Sequence, residues 1–351
     1  MREVAVVSFA QSKSVRRADD QNEVEMLMPV VSQAIANSGV PRKEIGFTIS
    51  GSCDYLGGVP FAFVSGLDAV GAWPPITESH VEMDGAWALY EAWVRLQHGD
   101  IDSALVYSFG KSSLGDISQV LSQQLDPYYL APLWPDSVSL GAIQTRSWLD
   151  SGHSEKELAQ LVSRNRQFAS TNEHSQITKL IDPETYLAKP YIIEPLRIDD
   201  CPPVSDGACA LVLVAGDRAK ACSTRLAWIK GIDHRSEPHS LGVRDLSISV
   251  STKQAGKNCG ALDIRADICE LHAPFSAQQA ILEEALEIDE SVMVNPSGGA
   301  LCANPVMAAG LIRIGEAASR IINGEANCAI AHATAGPCLQ QNLVCVLEGG
   351  N

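Results

Sequence analysis

Two distant stretches of this chain share one layout, and that repeat constrains the fold more than any other feature. The first runs from Gly85-Ala86-Trp87-Ala88-Leu89 to Gly99-Asp100 and continues into Ser103-Ala104-Leu105-Val106-Tyr107-Ser108-Phe109-Gly110. The second runs from Pro305 through Ala309-Gly310-Leu311-Ile312-Arg313-Ile314-Gly315-Glu316-Ala317-Ala318 to Gly324-Glu325, then into Cys328-Ala329-Ile330-Ala331-His332-Ala333. Each is a helix rich in small residues, a Gly-acid stop that reads as a helix C-cap, and an apolar run that fits a strand buried on both faces. Small residues let such a helix approach a sheet or another helix closely.

The repeat extends outward. Strand-like Glu3–Phe9, helix-like Glu23–Asn37 and strand-like Gly46–Ser50 precede the first copy; strand-like Leu226–Ile232, helix-like Ser276–Leu286 and strand-like Val292–Asn295 precede the second. Alternating strands and helices predict an α/β chain with mixed or parallel sheets covered by helices. The halves divide at 1–215 and 216–351. The region at about 111–200 breaks the pattern. It holds the turn-rich Leu125-Asp126-Pro127-Tyr128-Tyr129 and Pro132-Leu133-Trp134-Pro135, then helical patterns at Ser139–Leu149 and Glu155–Ser170. Ser154 with Glu155 and Glu157 is a helix start signal. This reads as a helical insertion laid over the sheet, a common ligand-covering element.

Composition narrows the partners. A formal charge of -16 disfavours nucleic acid and anionic membranes, yet leaves room for an anionic ligand held by a few local donors. The N-terminus enters a strand-like run without a signal peptide, and no apolar run is long enough to span a membrane. The 10 cysteines are scattered through apolar stretches with no Cys-x-x-Cys pair, which points to buried free thiols in a reducing cytoplasm and to no metal site built on such pairs.

Five segments carry a family resemblance. Val81-Glu82-Met83-Asp84-Gly85-Ala86-Trp87-Ala88-Leu89 resembles the nucleophile elbow of the thiolase superfamily, Cys-x-Ser-Gly-x-x-Ala-Leu. Ser205-Asp206-Gly207-Ala208-Cys209-Ala210 resembles its Ser-Asp-Gly-Ala-Ala-Ala stretch. Glu270-Leu271-His272-Ala273-Pro274-Phe275 resembles Glu-x-His-Asp-x-Phe of the sterol-carrier-protein-x, or lipid-transfer-protein-like, branch. Asn295-Pro296-Ser297-Gly298-Gly299 is similar to the family's Asn-Pro-Ser-Gly-Gly, and Thr334-Ala335-Gly336-Pro337 sits where Cys-x-Gly-Gly is usual. The segments lie in family order across most of the chain, with bacterial steroid-degradation proteins looking nearest. The resemblance implies a thiolase fold: duplicated αβαβα layered halves with mixed five-stranded sheets and the helical insertion.

The departures bear on chemistry. Aligning Gly85 with the family glycine puts Glu82 at the place of the nucleophilic cysteine. Asn304, one residue looser than family spacing, falls at the place of the Gly-His-Pro histidine, and Thr334 at the second cysteine. Pro337 lacks the backbone N–H that a family glycine offers. A carboxylate is a poor acyl carrier, so acyl transfer is disfavoured. Glu82 at a helix N-terminus fits two roles: a cap satisfied by its own helix, or a general base whose pKa burial raises. In the second role it serves retro-aldol cleavage of a β-hydroxyacyl-CoA from a lipid or steroid side chain, with His272 and Asn304 as donors to the enolate. Asp84 reads as a helix cap. Steroid side-chain aldolases of this superfamily are expected to carry tyrosines at the places of His272 and Asn304, whereas this chain has none after Tyr191.

The resemblance implies a CoA thioester as substrate rather than a permanently bound cofactor, with Gly298, Gly299 and Gly336 as its backbone contacts. It also implies a homodimer, or a heteromer with a second thiolase-like chain, and a small OB-fold, zinc-ribbon partner. A non-catalytic subunit supporting an active paralogue, and an acyl-CoA carrier, stand as alternatives.

Overall fold

Buried strands that alternate their contacts between two faces set the architecture. In the computed structural model, which describes residues 1–223 and 225–350, the strands are β1 (Val4–Gln11), β2 (Phe47–Gly51), β3 (Glu78–Val81), β4 (Ser103–Lys111), β5 (Tyr191–Ile193), β6 (Leu196–Arg197), β7 (Asp206–Ala215), β8 (Leu226–Ser236), β9 (Ile268–Leu271), β10 (Met293–Val294), β11 (Cys328–Ala335) and β12 (Gln341–Gly350). The helices are α1 (Glu23–Asn37), α2 (Asp54–Gly57), α3 (Phe63–Val70), α4 (Gly85–His98), α5 (Ile117–Gln123), α6 (Ser137–Asp150), α7 (Glu155–Ala169), α8 (Pro183–Leu187), α9 (Asp217–Lys220), α10 (Val250–Cys259), α11 (Ser276–Ala285) and α12 (Ala309–Ile322).

The duplication is visible in strand order. The main sheet runs β10-β9-β11-β12-β8-β1-β7-β4-β2-β3. Numbered within its own half, each set of five has the order third, second, fourth, fifth, first. Each set also pairs in the same way: two parallel contacts at the outer end, two antiparallel contacts inward. The expected pair of five-stranded sheets is joined into one ten-stranded sheet, through only two register pairs, Ala5 with Trp228 and Val6 with Ala227.

Side-chain alternation builds the layers. In β1, Val4 and Val6 pack with α4 and α12, whereas Ala5 and Val7 pack with α1. In β12, Leu343, Cys345 and Leu347 join the α4/α12 core, whereas Val344 and Val346 face the core that includes α10 and α11. The repeated helices α4 and α12 therefore form a central layer. Their small residues permit this: a Cβ on Gly315 would lie 2.1 Å from the Phe9 ring. The region between β4 and β7 carries α5 to α8 and the small β5-β6 hairpin, the helical insertion expected there. Among the described residues, no helix is long and apolar enough to cross a membrane.

The edge at β3 differs from the rest. Its strand is not fully buried, and Phe61, Val64 and Trp73 beside it in the chain are exposed. An outermost strand leaves one row of backbone N–H and C=O groups without a ladder partner.

Candidate functional site

A cavity of about 210 Å³ opens where the ends of β9 and β11 meet the starts of α4 and α12, with α5 and α6 of the insertion as its cover. Ligand sites in α/β folds favour the C-terminal ends of parallel strands, and β9 and β11 are a parallel pair. Most of the wall is apolar, including Leu121, Leu125, Leu140, Phe275 and Met307. Five polar positions decide its chemistry: Asp84, His272, Asn304, Thr334 and Gly336.

Asp84 is the N-cap of α4 and is only 3% exposed. Its Oδ1 accepts the N–H of Ala86 at 2.9 Å and of Leu311 at 3.0 Å, and its Oδ2 accepts the N–H of Gly310 at 2.8 Å. One carboxylate thus caps the N-termini of both repeated helices. A carboxylate has about four lone-pair positions, so Oδ2 keeps one for a ligand. Burial pushes the pKa of Asp84 up to about 6, against the opposing pull of these three N–H groups and of Arg313. The desolvation effect wins because the group is almost wholly withdrawn from water. The close fit needs glycine at 310, where a Cβ would lie 2.5 Å from Asp84 Oδ1.

His272 follows β9 and is 7% exposed. Burial, then the neighbouring His332, brings its pKa down to about 3, so the imidazole is neutral. Its Nδ1 accepts the N–H of Thr334 at 3.4 Å, which assigns the ring proton to Nε2. That N–H donates to Asn304 Oδ1 at 3.1 Å. The Asn304 amide is therefore fixed with its oxygen toward the histidine, leaving Nδ2 as a donor. Its backbone N–H is held by Ser205 Oγ at 3.0 Å. The Thr334 hydroxyl donates to Gln341 O at 3.0 Å and is spent on the β11-β12 hairpin.

Glu82 is elsewhere. It is exposed, does not line the cavity, and its Oε1 accepts the N–H of Asp54 at 2.6 Å. The reason is local. β3 ends at Val81 and α4 begins at Gly85, so the intervening turn aims residue 84 inward and residue 82 outward. Gly336 lines the cavity, but Gly298 and Gly299 do not. They occupy left-handed conformations in a buried turn, where added Cβ atoms would meet Ala169 and Asn295 at 2.6 Å. That turn positions Asn295 to accept the N–H of Leu271 at 2.6 Å and Ser297 to bond Glu270, and so fixes the strand leading to His272.

Met307 and Cys338 are among the lining residues outside the sequence-based site. Met307 has φ +77, a strained value for a non-glycine residue; its carbonyl is held by the Gly85 N–H at 2.8 Å and Ser108 Oγ at 2.6 Å. Cys338 is a thiol in the cavity wall, but burial pushes its pKa up to about 11, which keeps it protonated and a weak nucleophile.

No protein-family model matches the sequence. The chain is 25% identical over 349 residues to an acetyl-CoA acetyltransferase of Methanocaldococcus jannaschii, spanning 90% of this chain and 89% of that protein. It is 23% identical over 362 residues to sterol carrier protein 2 of Gallus gallus, spanning 90% of this chain and 65% of that protein. Among solved structures, the Ltp2-ChsH2(DUF35) aldolase superposes with a TM-score of 0.79 at 17% identity, covering 99% of this chain and 97% of the other. Human mitochondrial 3-ketoacyl-CoA thiolase superposes with a TM-score of 0.77 at 14% identity, covering 99% of each chain.

Proposed function

This protein has the thiolase fold, with sequence relatives among acetyl-CoA acetyltransferases and sterol carrier protein 2, and on that premise we propose that it cleaves a C–C bond of a β-hydroxyacyl-CoA by aldol chemistry. The observation that carries this reading is the pairing, in one apolar cavity, of a buried carboxylate with pKa about 6 and an amide held donor-outward by a neutral histidine. General bases act best with a pKa near the working pH. Asp84 takes the β-hydroxyl proton, and the O–H electron pair becomes the carbonyl of the departing aldehyde or ketone. The Cα–Cβ pair moves to the remaining thioester as its enolate. Asn304 Nδ2 donates to the enolate oxygen, where a preorganised donor is worth most. Protonated Asp84 then returns its proton to Cα, which releases the shortened acyl-CoA. His272 holds Asn304 and exchanges no proton. Acyl transfer through a cysteine is disfavoured, since the thiol that lines the cavity is held protonated.

A second reading, a subunit without chemistry of its own, draws on the same carboxylate: three helix N–H bonds are enough to explain a buried aspartate as structure. Assembly is part of both readings. The aldolase that superposes on this chain is named for two proteins, and the β3 edge with exposed Phe61, Val64 and Trp73 offers a strand and an apolar surface to another thiolase-like chain. The test is direct. Purified protein is incubated with a β-hydroxyacyl-CoA, and the carbonyl product and shortened acyl-CoA are followed by mass spectrometry, for wild type and Asp84→Asn. Cleavage by wild type alone supports the enzyme; no cleavage by either, with intact assembly, supports the subunit.

A further inference from the structure

We infer that the acyl group admitted to this cavity is apolar and uncharged, and that acyl groups ending in a carboxylate are excluded by Asp84. The inference rests on the acyl-CoA reading above and adds its substrate class. No Lys or Arg is among the described residues that line the cavity. His272 is neutral, so among the described residues that line the space the only charge is the Asp84 carboxylate.

The nearest cations lie behind the wall rather than in it. Arg313, behind His272, is itself buried and pairs with Glu270 at 3.1 Å. Arg244 lies behind the Gly336–Cys338 loop and donates to Pro337 O and Cys338 O, each at 3.1 Å. The start of α6 reaches the cavity at Ser137, but Asp136 already caps it by accepting the Ser139 N–H at 2.8 Å. Two of the neutral amides already spend one N–H: Gln278 Nε2 donates to Gln144 at 2.9 Å, and Gln124 Nε2 donates to Cys53 Sγ at 2.7 Å. An acyl carboxylate entering here loses its hydration, meets no cationic side chain in the described wall and faces a like charge, a juxtaposition that costs several kcal/mol in other interfaces. An alkyl chain meets Leu121, Leu125, Leu140, Pro135 and Phe275 and gains by burial.

The experiment measures binding rather than turnover, by calorimetry on the full chain in whatever assembly it forms. The probes are octanoyl-CoA, its ω-carboxylated counterpart and the neutral methyl ester of that counterpart. The expected result is tight octanoyl-CoA binding, a methyl ester within about fivefold of it, and an ω-carboxylate about 100-fold weaker. In Asp84→Asn the gap is expected to narrow at least tenfold, and the wild-type comparison decides the matter if that variant folds poorly. An ω-carboxylate bound within threefold of octanoyl-CoA overturns the inference while leaving the acyl-CoA reading intact. An equal loss for the methyl ester also overturns it, because size would then be the cause. Failure of all three probes to bind overturns the acyl-CoA reading itself.

Discussion

Asp84, in the first half of the chain, accepts the backbone N–H of Gly310, in the second half, at 2.8 Å. The repeated helices thus meet at a single carboxylate, and the same contact that joins the halves supplies the only charge among the described residues that line the cavity. Helix N-termini stabilise anions, while burial without a cation alongside destabilises them. The balance leaves Asp84 close to neutrality in pKa, up at about 6 from 3.8.

Asp84→Asn keeps the size and one acceptor oxygen but removes the base. The expected outcome is a drop of about 10²–10⁴-fold in cleavage rate, the usual contribution of a general base. Stability should fall by about 1–3 kcal/mol, because the amide nitrogen cannot accept the buried Gly310 N–H that Oδ2 now holds. Turnover and urea unfolding of the same preparation separate the two effects.

The pH profile carries the same assignment. A base must be deprotonated, so kcat/KM should rise with pH up to about 6 and flatten above it. The limb should lie near that value rather than the 3.8 of an exposed aspartate. A profile with its rising limb near pH 4 or near pH 8 would contradict Asp84 as the base.

Much of this architecture is legible in sequence because burial and capping are local patterns. The buried strands and the helix start at Ser154/Glu157, a capping box, follow from residues a few positions apart. Helix α10, Val-Ser-Thr-Lys-Gln-Ala-Gly-Lys-Asn-Cys, has no apolar stripe to announce it, and β3 is too short and exposed to alternate. At the site, His272, Asn304, Thr334 and Gly336 line one cavity. Glu82 does not, because counting from Gly85 fixes a position in the chain but not the direction of the turn. Asp84 reads as a cap and is one. Its second set of donors comes from Gly310 and Leu311, and nothing near residue 84 signals them. An acidic residue directly before the glycine of a small-residue helix was the available clue.

Asn304→Ala removes the proposed enolate donor. Cleavage should slow by about 10²–10³-fold, the range for loss of one oxyanion donor. The variant also leaves the His272 Nε2–H without its acceptor. Steady-state kinetics should place the loss mainly in kcat rather than KM, since the interaction forms as charge develops.

Glu82→Gln should leave the cleavage rate within about twofold of wild type. Its carboxylate lies outside the cavity and holds the Asp54 N–H, which the amide oxygen can still accept. Stability should change by less than about 0.5 kcal/mol, as for ordinary surface substitutions. A large rate loss measured in the intact assembly would place Glu82 in the active site and displace Asp84 from the mechanism.

Acid stability should report the two buried histidines. His272 and His332 have pKa values lowered from 6.5 to about 3 and about 4, chiefly by burial. A lowered folded pKa means that the unfolded chain binds the proton first. The stability they contribute is therefore present above pH 6.5 and is lost as the pH falls toward 4 and 3. Asp84 works in the opposite direction. Its raised pKa makes the folded state bind a proton between pH 6 and 3.8, which offsets about one of the two histidines across that window. Each unmatched proton is worth about 1.4 kcal/mol per pH unit. His272→Gln should therefore lose less stability than wild type between pH 6.5 and 4.5, by roughly 1–3 kcal/mol on the same scale. Asp84→Asn should lose more than wild type once the pH is below 6. Urea midpoints at pH 7.5, 5.5 and 4.5 for the three proteins distinguish these directions, and parallel curves would mean that neither His272 nor Asp84 titrates as its burial requires.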